Sequence, residues 1–355
     1  MNHSFAILAI SFVLSVISIA IVIFVTRKFN IYDQFDERKI HTEATPRLGG
    51  IGIFTGFVLG LLIYYFSGVA PHSLPLRMWL LIAGCALIFF MGVWDDLKPW
   101  RARYKFLTQC LAAILVLAGG FTFRKITFGP LNFAFSMGWF SVPLTFCWII
   151  GVTNAVNLID GLDGLAGSIA TLVAVTYAFF FLRYGNEPAM MVCLILAVSV
   201  SGFLVFNLPF PRAKIFMGDG GSQFLGFVLS VLPLISAKNG MATIALPYAA
   251  AVLIIPVFDT IAAIWRRVRE KRGILDPDRF HLHHKLLMLG FSKRQTLVVV
   301  ACFQFVLSLF ISVSGWTGGL MATVLLFAVY LLGLLFFTVI HVRKEGLLKE
   351  EEIAD

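Results

Sequence analysis

The sequence predicts an all-α integral membrane protein, with residues 1–355 forming one polytopic domain. Hydrophobic side chains make up 59% of the 355 residues, charged ones only 13%, and the apolar residues gather in long runs. Soluble domains hold about 45–50% apolar and about 25% charged residues. The composition therefore excludes a disordered chain, a disulfide scaffold and an ordinary cytosolic enzyme. The five scattered cysteines lie inside apolar runs and are typical of small core residues.

Eleven apolar runs predict about eleven transmembrane helices, because one bilayer crossing needs roughly 20 apolar residues. The first run has neither the basic start nor the cleavage site of a signal peptide, so we interpret it as a helix. The runs lie at residues 4–26, 49–67, 77–94, 106–120, 138–156, 164–182, 188–206, 221–236, 242–265, 296–313 and 318–341. A short tail, residues 342–355, follows them.

Charge in the connecting segments predicts the orientation. When alternate loops are assigned to one side of the membrane, that side holds 23 of the 28 lysines and arginines. Positively charged loops stay in the cytoplasm. We therefore expect a protein of the cytoplasmic membrane with its N-terminus outside and its tail in the cytoplasm. The net charge of +9 then reflects topology and attraction to anionic lipid, and it predicts no nucleic-acid partner.

Two adjacent carboxylates, Asp95 and Asp96, end the third run on the predicted cytoplasmic side. Neighbouring carboxylates repel unless a cation or a proton lies between them, which suits a divalent metal or a proton-transfer role. A solvated helix end is the simpler explanation of the pair taken alone. Just beyond it, Arg101, Arg103 and Lys105 suit either a lipid phosphate or an orientation signal.

The polar segment NAVNLIDGLDGLAG, residues 154–167, joins the fifth and sixth runs. Its Asn154, Asn157, Asp160 and Asp163 recur every three residues and so share one side of a helix end. The glycines admit close approach of a ligand, and the N-terminus of the next helix attracts anions. The segment favours a phosphate or sugar-nucleotide site over a capped helix–turn–helix.

Asp219 lies in the turn FMGDGGS, residues 216–222. A lone aspartate in a glycine turn is often a helix cap. Beside other carboxylates it also becomes a candidate Mg²⁺ ligand, since Mg²⁺ is usually held by one or two carboxylates and substrate phosphates.

The longest cytoplasmic loop carries DRFHLHHK, residues 278–285, with Arg279, His281, His283 and His284. Arginine and histidine can donate hydrogen bonds to a pyrophosphate or sugar. A zinc site is a weaker alternative, because no cysteine or nearby carboxylate completes a closed site. A solvated loop with no ligand is a further alternative. Arg47, in the basic segment PRLGG (46–50), is either a topology determinant or part of the same site.

Five strings in this order resemble the polyprenyl-phosphate N-acetylhexosamine-1-phosphate transferases. They are PRLGG (46–50), DDLKPWRARYKFLTQ (95–109), NAVNLIDGLDGLAG (154–167), FMGDGGS (216–222) and HLHH (281–284). The resemblance covers residues 38–295. It implies a membrane enzyme that moves a sugar 1-phosphate from a UDP-sugar to a polyprenyl phosphate, releases UMP and uses Mg²⁺, with Mn²⁺ as a substitute. It also suggests a homodimer.

The resemblance implies a role for most of the candidate residues. Asp95 and Asp96 would form the pair at the reaction centre, where one of them deprotonates or positions the lipid phosphate, and Asp219 would be the principal Mg²⁺ ligand. Lys105 would lie near the lipid phosphate. On the donor, Asn157, Asp160 and Asp163 would lie on the nucleotide side, Asn207 and Phe216 would contact the uracil, and His281, His283 and His284 would contact the pyrophosphate and sugar. Three further residues are candidates for binding a substrate: Asn154, Arg47 and Arg279.

The string DRFHLHHKL is similar to the family branch that transfers N-acetylglucosamine 1-phosphate. The branch that transfers phospho-N-acetylmuramoyl pentapeptide typically has three consecutive histidines followed by an acidic residue. We therefore expect UDP-GlcNAc as donor and undecaprenyl phosphate as acceptor, in a step that starts cell-envelope polysaccharide synthesis. UDP-GalNAc and the pentapeptide donor are the alternatives within the family.

A transporter is the competing class of protein. Its carboxylates would lie at mid-membrane depth, often in broken or repeated helices, whereas only Asp259 falls within an apolar run here. For the enzyme, the sequence allows either direct attack of the lipid phosphate on the β-phosphate of the donor or a covalent aspartyl intermediate.

Overall fold

The computed structural model describes residues 2–29, 45–68, 75–127, 134–235, 244–273, 278 and 280–354. Apart from one two-stranded antiparallel hairpin, the regular structure in these ranges is helical, which confirms the all-α membrane fold. The hairpin joins β1 (Lys125–Thr127) to β2 (Ala134–Ser136), with Ile126 opposite Phe135. The helices are α1 (Asn2–Lys28), α2 (Gly49–Phe66), α3 (Leu76–Leu97), α4 (Ala102–Ala118), α5 (Ser141–Ile159), α6 (Leu165–Arg183), α7 (Glu187–Asn207), α8 (Gly218–Val231), α9 (Leu246–Val252), α10 (Ile254–Arg269), α11 (Leu282–Met288), α12 (Lys293–Thr317) and α13 (Gly319–Ala354).

Among the described residues, each of the eleven predicted apolar runs is largely helical, and α11 is an additional short helix between α10 and α12. Among the described residues, eight helical segments are long and apolar enough to cross a membrane, or nine if the bent pair α9–α10 is one span. Helices α4 and α8 have 17 and 14 residues and are shorter than these spans. The multi-pass fold is thus confirmed, while the count of eleven crossings stays a prediction.

The ninth run is broken by 87° between α9 and α10. Pro256 follows the break, and a proline inside a helix removes a donor and clashes with the carbonyl four residues earlier, here that of Val252. The Val252 carbonyl instead accepts a hydrogen bond from Gln304 Nε2 of α12 at 3.1 Å. The break therefore leaves no unsatisfied carbonyl at that point.

Helix α8 lies at the centre of the fold, packed against α2, α3 and α5. All of its residues except Asp219 are buried. A helix that is buried on every side belongs in a core, and here its N-terminal turn carries one partly exposed carboxylate. Glycines allow its neighbour α3 to come close, since a Cβ added to Gly92 would lie 2.5 Å from Cα of Gly220.

Candidate active site

Four of the five segments that carry the resemblance meet around the N-terminal turn of α8, and the fifth, HLHH, packs on one of them at Gly161. The backbone of the PRLGG segment pairs with the residues before α8: the Phe216 N–H donates to the Pro46 carbonyl at 2.7 Å, and the Gly49 N–H donates to the Phe216 carbonyl at 2.9 Å. Gly218 joins this contact with φ of +75°, a conformation that favours glycine. A Cβ there would also lie 2.0 Å from the Arg47 carbonyl oxygen.

Asp96 caps α8 from the end of α3. Its Oδ1 accepts the backbone N–H of Asp219 at 2.8 Å, and its Oδ2 accepts that of Gly220 at 2.9 Å. The first N–H groups of a helix have no partner within the helix and favour a negative charge. Both oxygens of this carboxylate are therefore engaged in holding the turn that carries Asp219.

Lys105 lies between the two other carboxylates of this centre. Its Nζ forms salt bridges with Oδ2 of Asp95 and, at 2.9 Å, with Oδ2 of Asp219. Asp95 is buried, and its Oδ1 accepts the Trp100 N–H at 2.8 Å. The side chains of Lys105 and Asp219 remain 26% and 18% exposed, so a ligand can reach them. Lys105 is thus an ammonium held by two carboxylates at the start of α4.

Buried amides continue the network beyond Asp219. Gln223 Nε2 donates to Asp219 Oδ2 at 2.9 Å, and Gln109 Nε2 donates to Gln223 Oε1 at 3.0 Å. Asn154 Nδ2 donates to Gln109 Oε1 at 2.8 Å and to the Ile150 carbonyl at 2.8 Å. Asn154, a candidate for binding a substrate, therefore has protein partners for its amide.

The segment from Asn157 to Asp163 adjoins the same turn. Asn157 Oδ1 accepts a hydrogen bond from the Ser222 hydroxyl of α8. Burial raises the pKa of Asp160 well above its usual range, and the nearby Asp219 carboxylate raises it further, while the Arg47 guanidinium opposes the shift. Asp163 also contributes to the raised pKa. These predicted residues therefore share one electrostatic environment.

Asn207 lies at the end of α7 and holds two loops of the site together. Its Oδ1 accepts the Gly164 N–H at 2.8 Å, and its Nδ2 donates to the Ile215 carbonyl at 2.8 Å. The side chain is 4% exposed. Contact of Asn207 with the nucleotide stays a prediction, as does that of the half-buried Phe216.

The histidine motif reaches the same site through α11. His283 packs on the loop after α5, since a Cβ added to Gly161 would lie 2.3 Å from His283 Nε2. Both ring nitrogens of His283 are buried, with no hydrogen-bond partner among the described residues. Burial, together with the smaller effect of the neighbouring His284, lowers the pKa of His283 to about 3, so the ring is neutral at physiological pH. Arg279 lies outside the described residues.

His281 is held from α10 by Asp259, a residue to which the sequence assigned no role in the site. His281 Nδ1 donates to Asp259 Oδ2 at 2.9 Å, because an ionised carboxylate can only accept. The other oxygen, Oδ1, accepts the Leu282 N–H at 2.8 Å. Asp259 is 2% exposed and His281 5%. The rarity of carboxylates within membrane runs was the one signal that could have identified Asp259.

Gln109, Ser222 and Gln223 are the other site residues that the sequence did not single out. Gln109 ends the DDLKPWRARYKFLTQ string, and Gln223 lies four residues after Asp219, on the same face of α8. Both positions can be seen in the sequence, but an amide side chain in an apolar helix indicates no particular chemistry until its hydrogen-bond partners are known.

One carboxylate of the site, that of Asp219, fits Mg²⁺. Within the ranges that the structure describes, no three carboxylate, imidazole or thiol groups converge as a metal-binding set. Mg²⁺ usually needs only one or two carboxylates when substrate phosphates supply the other oxygens. The partly exposed Asp219 fits that pattern, since its protein partners are on Oδ2, whereas both oxygens of Asp95 and of Asp96 already have protein partners.

Known proteins resemble this chain over most of its length. The family model Glycosyl transferase family 4 matches residues 78–237. A probable undecaprenyl-phosphate N-acetylglucosaminyl 1-phosphate transferase of Bacillus subtilis (strain 168) is 35% identical over 306 residues, covering 85% of this chain and 83% of that protein.

Two relatives from other bacteria are similar. An undecaprenyl-phosphate alpha-N-acetylglucosaminyl 1-phosphate transferase of Yersinia pestis is 30% identical, covering 77% of this chain and 74% of its own. A decaprenyl-phosphate N-acetylglucosaminephosphotransferase of Mycobacterium leprae (strain TN) is 30% identical, covering 74% of this chain and 72% of its own. The chain therefore belongs to glycosyl transferase family 4, in its branch of polyprenyl-phosphate N-acetylglucosaminyl 1-phosphate transferases, and is a multi-pass membrane enzyme that transfers a sugar phosphate.

Proposed function

We propose that the protein transfers N-acetylglucosamine 1-phosphate from UDP-GlcNAc to undecaprenyl phosphate or a similar polyprenyl phosphate, releasing UMP. The names of the relatives support both the sugar and the lipid. The observation that carries the proposal is Lys105, a half-buried ammonium between Asp95 and Asp219, where the end of α3, the start of α4 and the first turn of α8 meet. A cation and carboxylates at a membrane helix end suit transfer between an anionic nucleotide and an anionic lipid.

Asp219 is the proposed metal ligand, with Mg²⁺, or Mn²⁺ in its place, completing its shell from the donor pyrophosphate. Bound there, the ion would offset the negative charge of the phosphates. Lys105 would hold the lipid phosphate by its charge, close to that pyrophosphate. Neutral His283, whose ring nitrogens lack partners among the described residues, would hydrogen-bond the pyrophosphate or sugar.

The two neighbouring aspartates have different proposed roles. Asp96 keeps α8 and Asp219 in position, since both of its oxygens accept backbone N–H groups. Asp95 adjoins Lys105 and is the member of the pair that would accept a proton from, or position, the lipid phosphate. An oxygen of that phosphate would attack the β-phosphorus of UDP-GlcNAc directly, and UMP would leave with the electron pair of the broken P–O bond.

The proposed location is the cytoplasmic membrane, with the N-terminus outside and the site facing the cytoplasm. The distribution of basic residues supports this location, because 23 of the 28 lysines and arginines lie on the predicted cytoplasmic side. The soluble donor would meet the site on that side. The homodimer suggested by the resemblance stays a prediction.

Release of UMP tests the proposed function. Purified protein in detergent should release UMP from UDP-GlcNAc only when a polyprenyl phosphate and Mg²⁺ are both present. UDP-GalNAc and UDP-N-acetylmuramoyl pentapeptide, offered in the same assay, test the alternative donors. Absence of UMP release, together with substrate uptake into proteoliposomes, would favour the transporter class.

Asp219→Asn tests the centre itself. The substitution removes the charge of the proposed metal ligand, so Mg²⁺-dependent turnover should be abolished while the elution volume of the folded protein is unchanged. Gln304→Asn is the control for a change of a polar residue in a membrane helix. Gln304 is buried in α12, and its hydrogen bonds go to Val252 and Ser308, which lie outside the five segments. Turnover retained by Asp219→Asn would remove Asp219 from its role.

A further inference from the structure

Three amide side chains from three helices form a continuous chain that ends on Asp219. Asn154 of α5 donates to Gln109 of α4, Gln109 donates to Gln223 of α8, and Gln223 donates to Asp219 Oδ2. Gln109 and Gln223 are 4% and 1% exposed. A buried polar network is costly unless its members are satisfied, so this one needs a reason beyond packing.

The carboxylate fixes the direction of every bond in the chain. Ionised Asp219 can only accept, so Gln223 must turn its NH₂ group toward it and its carbonyl toward Gln109. Gln109 must then offer its NH₂ group to Gln223 and its carbonyl to Asn154. Asn154 closes the chain with Nδ2, whose second hydrogen goes to the Ile150 carbonyl of its own helix. No amide in the chain can flip without setting two acceptors against each other.

The chain also determines which oxygen of Asp219 stays available. Oδ2 receives Lys105 Nζ and Gln223 Nε2, both at 2.9 Å. Among the described residues, no hydrogen-bond partner is found for Oδ1 of this half-exposed side chain. Two donors on one oxygen orient the carboxylate and leave the other oxygen for a ligand.

We propose that Gln223 and Gln109 are positioning residues that hold the Asp219 carboxylate in one orientation for a divalent cation bound by donor phosphates. The inference rests on the proposed function, in which Asp219 is the metal ligand. Groups that orient a metal ligand typically change metal affinity or activity about 10- to 100-fold when they are mutated. The effect should pass from Gln109 to Asp219 through Gln223, although Gln109 does not itself contact the carboxylate.

Gln223→Met and Gln109→Met test the inference, because methionine keeps the length of the side chain and removes its hydrogen bonds. Gln304→Met is the matched control, since Gln304 is another fully buried glutamine in a membrane helix, bonded to Val252 and Ser308 instead. The first readout is Mn²⁺ binding in the presence of UMP, followed by electron paramagnetic resonance. The second is the Mg²⁺ concentration that gives half-maximal UMP release, measured beside KM for UDP-GlcNAc at saturating Mg²⁺.

We expect both variants to bind Mn²⁺ about 10- to 100-fold more weakly than the control, with KM for UDP-GlcNAc changed about threefold or less. The double variant should bind Mn²⁺ no more weakly than Gln223→Met, because that single substitution already breaks the chain of hydrogen bonds to Asp219. Metal affinities equal to that of Gln304→Met would overturn the inference and leave the proposed function intact. A wild type that released UMP without any divalent metal would overturn the metal role and the inference together. If Gln223→Met does not fold, Gln109→Met alone decides.

Discussion

The carboxylate of Asp96 accepts two N–H groups of the first turn of α8, those of Asp219 and Gly220, with the backbone nitrogen of Asp219 at 2.8 Å from its Oδ1. An acidic residue at the end of one helix thereby caps the helix that carries the proposed metal ligand. Helix caps and the favourable charge at a helix N-terminus contribute stability, so this contact links the fold of the core to the geometry of the site.

Asp96→Ala should therefore unfold more easily as well as lose activity. We expect a loss of about 1–2 kcal/mol of stability from the missing cap, seen as a lower thermal unfolding midpoint in detergent. Asp219→Asn is the comparison, because it keeps the backbone N–H that Asp96 accepts and should lose activity with a much smaller change in midpoint. Equal midpoints for Asp96→Ala and wild type would contradict the capping role.

Lys105→Met should weaken the use of the lipid acceptor most. It removes the ammonium that contacts Asp95 and Asp219, and a hydrogen bond to a charged group contributes about 1.5–3 kcal/mol. We expect KM for the polyprenyl phosphate to rise at least tenfold, with a smaller change in KM for UDP-GlcNAc. Lys98→Met is the control, because Lys98 is an exposed lysine of the same connecting segment. The same effect from both variants would mean that only basic charge near the membrane matters.

The helical positions could be predicted from the sequence because length and apolar composition are local properties. Residues 242–265 are predicted as one run, yet the described part of that run forms two helices, because Pro256 breaks it and Gln304 satisfies the carbonyl that the proline frees. That partner lies 52 residues away along the chain. Its contribution could be seen only in three dimensions.

The candidate site was predictable as a set of segments and less so as a set of roles. Asp95 and Asp96 are adjacent in sequence, but on α3 one faces Lys105 and the other faces the first turn of α8. Asn207 is predicted to contact the nucleotide, and the structure shows in addition that its amide joins Gly164 to Ile215. The difference between binding a ligand and holding a loop depends on partners distant in the chain, which a single sequence does not contain.

Asp259→Asn tests whether the buried carboxylate acts through His281. The carboxylate requires a proton on Nδ1, so the Nε2 atom is left to meet a ligand, and loss of such support typically costs about 10- to 100-fold in activity. We expect that loss in kcat/KM for Asp259→Asn in the wild-type background. In a His281→Ala background the same substitution should cost about threefold or less, since its target is gone.

The alternative for Asp259 is a purely structural role as the cap of α11, through the Leu282 N–H. In that case Asp259→Asn would reduce kcat/KM by the same factor with or without the imidazole of His281. The double-mutant comparison therefore separates orientation of the ring from capping of the helix, which a single substitution cannot do.

The buried imidazole of His283 should make the fold sensitive to acid. Its pKa is lowered to about 3 by burial and by His284, whereas an unfolded histidine titrates near pH 6.5. Between those values the unfolded chain binds a proton that the folded chain does not, so stability falls as the pH falls from about 6.5 toward 3, by about 1.4 kcal/mol for each pH unit. His283→Asn removes this one-proton difference. Thermal unfolding midpoints measured from pH 7 down to pH 4.5 should therefore decline less steeply for His283→Asn than for wild type. Equal declines for the two proteins would mean that His283 is protonated in the folded protein.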